Sequence, residues 1–184
     1  MYSQGNLDTL CGVYAVINSV KAVASTKGCR LTRGECVVLF RVLCRTLADG
    51  GRLEDALTEG TTIRTFQSMT RRAHEWLAAE RGLVLSSRRA FGRPPGGLDR
   101  FWRRLQDHAL DEGPGSILIG ITGRMNHWSC VRSINDRAIL LVDSDGVKFL
   151  RRDRCTVSEP DRRRIHQLVA TQTLLVSHDG GASG

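Results

Sequence analysis

Lysine is almost absent from this chain: of 27 basic residues, all but Lys21, Lys27 and Lys148 are arginine. Aromatic residues are scarce too, at 5%, which leaves no aromatic and basic interleaving of the kind that stacks nucleobases. No apolar run approaches the ~20 residues that a membrane-spanning helix requires. The N-terminus has no basic segment followed by an apolar core, so no secretory signal is legible; the expected location is the cytoplasm, or delivery from it without such a signal. None of the six cysteines (11, 29, 36, 44, 130 and 155) forms a Cys-x-x-Cys pair. Their other spacings do not suggest zinc, and no metal or other cofactor is expected. With no export signal they read as reduced thiols. The chain carries no internal repeat.

What is present reads as one domain over 1–184. Its 184 residues are 41% apolar and 25% charged, enough for a core and ordinary for a globular protein. The net charge is +8, with arginines clustered at Arg71-Arg72, Arg103-Arg104, Arg151-Arg152 with Arg154, and Arg162-Arg163-Arg164. Such clusters read as a solvated face, or as a surface for an acidic protein partner or nucleic acid. No nucleic-acid motif accompanies them.

Helices are expected first and strands second, which is an α+β class. Val13, Val16, Ile17, Val20 and Val23 recur at three-and-four spacing, the stripe of one helix over 10–25. Gly28 suits its C-terminal cap. Thr32-Arg33-Gly34-Glu35 has the form of a capping box and opens a second helix to about Leu47, stopped by Gly50-Gly51. Cys36 and Cys44 are expected in its core face. Arg52 to Gly60 is a connection with room for a helical turn. Thr61 or Thr62 caps a third helix to about Arg81, burying Ile63, Phe66, Met69, Ala73, Trp76 and Leu77, and Gly82 ends it. A short strand at 83–87, a loop at 91–97 and a helix from Leu98 to Leu110 follow. Strands are then expected at 116–122, 127–134, 138–143, 146–150 and 167–176, with Cys130 buried. Asn135-Asp136 and Asp145-Gly146 are the expected turns. Thus a mainly helical lobe (1–90) precedes a helix-plus-sheet lobe (98–176) and a flexible tail (177–184).

The chemistry concentrates at both ends of this plan. Cys11 begins the first helix, where unpaired N–H groups favour a thiolate. Gln4, a short loop upstream, can offer a side-chain N–H to an oxyanion, with the Cys11 amide as second donor. A thiol nucleophile needs a base, and that base needs a partner. His127 opens a strand and Asp143 ends the next one, so antiparallel pairing brings them together. Alternation favours Asp143 as the partner, with Asp145 in the turn as the alternative. The rival histidines, His74, His108, His166 and His178, have no strand-ending aspartate behind them. Gly12 suits close helix packing under a cleft, and Trp128 is either a shield for the imidazole pair or an ordinary core or surface aromatic.

Gln4, Cys11-Gly12, His127 and Asp143 occur in the order and contexts of papain-like cysteine peptidases, and the chain resembles most the compact bacterial bacteriocin-leader peptidases. Six residues separate Gln4 from Cys11, one more than is usual there, and Ser144 stands where proline often follows the aspartate. The resemblance implies a helical lobe carrying Cys11 packed on a mostly antiparallel sheet carrying His127 and Asp143, with the cleft between. It implies peptide or isopeptide hydrolysis, after small residues such as Gly-Gly, on a protein or peptide substrate. His127 would deprotonate Cys11 and donate through Nδ1–H to Asp143. The same residues also suit an acyltransferase or transglutaminase-like enzyme, or a catalytically silent binding domain of this fold. A nucleic-acid-binding module is the remaining alternative.

Overall fold

Local sequence signals set the helix ends. The computed structural model describes residues 9–111 and 115–179. It gives helices α1 (Cys11–Thr26), α2 (Arg33–Asp49), α3 (Leu53–Thr58) and α4 (Ile63–Arg81), then strand β1 (Leu85–Arg89) and helix α5 (Leu98–Asp111). Strands β2 (Ser116–Gly123), β3 (His127–Ile134), β4 (Ala138–Val142), β5 (Phe149–Arg151), β6 (Cys155–Thr156) and β7 (His166–His178) follow. The Thr32 side chain accepts from the Glu35 N–H while the Glu35 carboxylate accepts from the Thr32 N–H, completing the capping box. Arg81 of α4 closes on the same Glu35. Thr62, not Thr61, caps α4, and Gly82 ends it in the left-handed conformation at φ 64°.

Among the described residues this is a mixed α plus β protein: five α-helices and one seven-stranded sheet in the order β1-β7-β2-β3-β4-β5, with β6 beside β7. All pairings are antiparallel except β6 with β7. Alternation along the strands divides the core in two. Leu118, Cys130, Leu174 and Val176 join the apolar faces of α1, α2 and α4. Ile117, Ile119, Ile121, Val131 and Leu175 join Phe101, Trp102 and Leu105 of α5 on the opposite face. Those three α5 side chains are fully buried, and burial of each contributes roughly 1.5–3 kcal/mol. The loop at 91–97 carries the chain from one face to the other. The Trp102 indole N–H adds a 2.7 Å bond to the Asn135 carbonyl, tying α5 to the turn between β3 and β4.

Several expectations are corrected. Cys36 is buried, but Cys44 is only half-buried, since it falls at the margin of the α2 stripe. Strand β1 begins at Leu85 rather than at residue 83. Ser177 is paired in β7 opposite Ser86, so the expected flexible tail begins too early; residues 180–184 lie outside the described residues. Asp145-Gly146 does not form a two-residue hairpin turn, because β4 ends at Val142 and β5 starts at Phe149. A single 3₁₀ turn over Arg152–Arg154 and the short strand β6 were not legible beforehand. Among the described residues no helix is long and apolar enough to cross a membrane.

Candidate active site

The first residue of α1 is Cys11. Leu10 precedes it without a side-chain cap, so the amides of the first turn have no intrahelical acceptor. Thr9 fixes this end of the helix: its N–H donates to the Leu57 carbonyl and its hydroxyl to the Ala56 carbonyl at 2.7 Å. Gly12 faces a tight wall, where a Cβ would meet Thr61 Oγ1 at 3.0 Å and Phe66 Cδ2 at 3.3 Å. The glycine therefore lets α1 settle against the loop before α4. Cys11 is 5% exposed, yet it lines a cleft of about 390 Å³.

His127 starts β3 and Asp143 follows the last residue of β4. The antiparallel register, with Cys130 opposite Val142, brings them to the same end of the sheet. His127 Nε2 donates to Asp143 Oδ2 at 2.6 Å, and Cys11 lies close enough to the same ring to favour its charged form. The ring atom differs from the expectation: Nε2, not Nδ1, faces the carboxylate. Ser129, two residues along β3 and so on the same side as His127, donates to Asp143 Oδ2 at 2.6 Å. The N–H groups of Asp145 and Val147 donate to Asp143 Oδ1 at 2.8 and 3.2 Å. Asp143 is 2% exposed and has four donors, whereas the Asp145 side chain is exposed.

The electrostatics follow from these contacts. Burial pushes the His127 imidazolium down, but hydrogen bonds to Asp143 and Cys11, with their charges, outweigh it and hold His127 above its ordinary value. Burial would raise the Asp143 carboxyl; hydrogen bonds from His127 and Ser129 and the imidazolium charge hold it below its ordinary value. A buried imidazolium beside a buried carboxylate is thereby the favoured state.

The cleft walls come from three places. Trp128 stacks on Phe66 with ring centroids 3.9 Å apart, and its indole N–H donates to the Thr61 carbonyl at 2.8 Å. That holds a large apolar plate beside Cys11. Asp55 and Glu59 line the side next to α3. Gln172 lines the opposite side, and sequence reasoning missed it. The pairing of β2 with β7 steps from Ile119–Thr173 to Gly120–Val169, so β7 bulges around Gln172. A Cβ on Gly120 would lie 2.6 Å from Gln172 Oε1, so the glycine leaves the room this side chain takes. The one available signal was the glycine inside an otherwise apolar β2 strand.

Of the four residues singled out from sequence, Cys11, His127 and Asp143 come together. Gln4 lies outside the described residues. Two rival histidines are buried away from the cleft, and His108 Nε2 contacts the Ser116 and Val176 carbonyls. No family model, curated protein or solved structure matches the chain.

Proposed function

We propose that this protein is a papain-like cysteine peptidase or isopeptidase. The observation that carries the reading is the buried His127–Asp143 hydrogen bond of 2.6 Å, with Cys11 near enough to act on the same imidazole from a helix start that lines a cleft. Nδ1 of His127 holds the proton taken from the Cys11 thiol, so the resting pair is thiolate and imidazolium, and the thiolate attacks the carbonyl carbon of a peptide or isopeptide bond. The oxygen that becomes negative lies near the Cys11 N–H, with Gln4 as the second donor in this proposal. His127 returns the proton to the leaving amine, and the C–N bond breaks. Water, deprotonated by His127, then attacks the thioester carbonyl; a carboxylic acid leaves and the thiol is restored. Asp143 keeps the proton on Nε2, so that Nδ1 is free to accept. Ser129 and the two backbone N–H groups hold that carboxylate in orientation.

Turnover of an internally quenched peptide library, including Gly-Gly-containing members, tests the reading. Cys11→Ala removes turnover while keeping the melting transition, and His127→Ala removes turnover with a lowered melting transition, since it leaves the buried Asp143 carboxylate without its partner. Full activity in Cys11→Ala refutes it. Incorporation of an added amine in place of hydrolysis would reassign the same residues to acyl transfer.

A further inference from the structure

A groove of about 690 Å³ lies away from Cys11, between α4 and β1. Its α4 wall carries Arg64, Gln67, Arg71 and His74, spaced so that they share one helix face, together with Glu75 and Ala78; the Arg89 guanidinium of β1 donates to Gln67 Oε1 at 3.0 Å. Its other wall is β1, from which Ser86 and Ser87 line it.

Three observations point to a ligand. Among the described residues Arg64 and Arg71 make no hydrogen bond or ion pair, while the carboxylates at the groove are engaged: Glu75 with Arg72, and Asp179 with the Ser86 hydroxyl at 2.6 Å. His74 is 7% exposed, and its Nε2 is buried with no partner among the described residues. Burial pushes its imidazolium down to about 4, against a small upward pull from Asp179, so the ring is neutral at pH 7 and has a polar atom to satisfy. Third, β1 ends the sheet, and no described strand pairs with its outer side. The Ala90 N–H bonds the Thr173 carbonyl and the Asp179 N–H bonds the Val84 carbonyl. By antiparallel alternation Ser86 and Arg88 face β7, and Leu85, Ser87 and Arg89 turn their N–H and C=O groups outward.

We propose that this groove docks an extended acidic peptide segment, which adds to the open edge of β1 and sets its carboxylates on Arg64 and Arg71. A small anion answers the two guanidiniums alone. An extended chain answers them and the open row of backbone groups on Leu85, Ser87 and Arg89 together. The groove is separate from the Cys11 cleft and the proposal does not depend on the peptidase reading.

The test uses the full chain and a fluorescein-labelled decapeptide of alternating glutamate and threonine, read by fluorescence anisotropy at low salt. The matching lysine–threonine peptide and inorganic phosphate are the controls. Three variants are compared, each checked by its melting transition: Arg64→Glu with Arg71→Glu, Ser87→Pro, and Cys11→Ala. Proline is tolerated on an edge strand where the N–H faces outward, so Ser87→Pro removes that donor and leaves the charge. The acidic peptide is expected to bind, to weaken about tenfold or more in the double charge reversal, to weaken about threefold or more in Ser87→Pro, and to be unchanged by Cys11→Ala. Equal binding of the lysine peptide, or no binding of the acidic one, overturns the proposal. So does binding that ignores Ser87→Pro and is fully displaced by phosphate, which would mark a simple anion site. Loss in Cys11→Ala would move the peptide to the other cleft and overturns it too.

Discussion

Changing Asp143 to asparagine tests the site by exchanging one atom. In the native protein Asp143 Oδ1 accepts from two backbone N–H groups, and Oδ2 accepts from His127 Nε2 and Ser129. Asparagine has one acceptor oxygen. The backbone donors cannot rotate away, whereas the serine hydroxyl and the imidazole tautomer can adapt. The oxygen therefore stays on the backbone side, and the amide NH2 faces His127. Nε2 must then accept, which moves the ring proton to Nδ1, the atom that should receive the thiol proton. A misassigned tautomer of this kind costs about 10⁴ in turnover in a serine triad, or about 5.4 kcal/mol. The assay is alkylation of Cys11 by iodoacetamide, followed by peptide mapping, from pH 5 to 9. An ordinary thiol is about 0.3% ionised at pH 6. The native protein should label Cys11 at pH 6 at least about tenfold faster than that fraction allows, and Asp143→Asn should lose the excess. Equal labelling of the two proteins at pH 6 would refute the reasoning.

Four further outcomes follow from the same contacts. Ser129→Ala removes a 2.6 Å bond to a buried carboxylate and should cost about 1.5–3 kcal/mol in urea unfolding, with the Asp145 and Val147 donors still in place. Gly12→Ala puts a Cβ 3.0 Å from Thr61 Oγ1 and 3.3 Å from the Phe66 ring, setting an overpacking cost of about 1–3 kcal/mol against a helix-propensity gain of about 1 kcal/mol, so a net loss of up to about 2 kcal/mol is expected in the same unfolding curves. The pH dependence has a definite sign. The raised His127 stabilises the fold fully below its ordinary value of 6.5 and loses this as pH rises through its folded value. The lowered Asp143 stabilises above its ordinary value of 3.8 and loses this as pH falls through its folded value. The stability gap between native protein and Asp143→Asn should thus be widest between about pH 4 and 6.5 and shrink on both sides; a gap that is flat from pH 3 to 9 contradicts the pairing. Gly120→Ala would displace Gln172, and its effect on peptide turnover with unchanged iodoacetamide labelling would report on the cleft wall.

Where local chemistry decides a structure, the sequence was readable. The Thr32–Glu35 box, the Gly82 cap and the Asn135 turn need only their own few residues, and the side chain of Asn135 accepts from the N–H groups of Arg137 and Ala138 as such turns do. The order of helices before strands, and the meeting of His127 with Asp143, follow from periodicity and antiparallel pairing. Features that depend on distant partners were not readable. The expected turn at Asp145-Gly146 fails because Asp143 captures the N–H groups of Asp145 and Val147, which a hairpin would give to a strand. The bulge around Gln172 exists because Gly120 on another strand makes room. The choice of Nε2 over Nδ1 depends on the rotamer of His127, which no spacing encodes. Ser129 lay within reach, since a residue two positions from a strand histidine shares its side.

Thiol competition gives the most direct test of the central claim. Cys11 is 5% exposed, while Cys29 and Cys44 are partly exposed, so accessibility alone favours the latter two. One equivalent of an electrophilic peptide probe at pH 6, with mass-spectrometric mapping of all six thiols, should mark Cys11 first, and His127→Ala should abolish that preference. Labelling that falls on Cys29 or Cys44 while Cys11 stays unmodified would contradict the account.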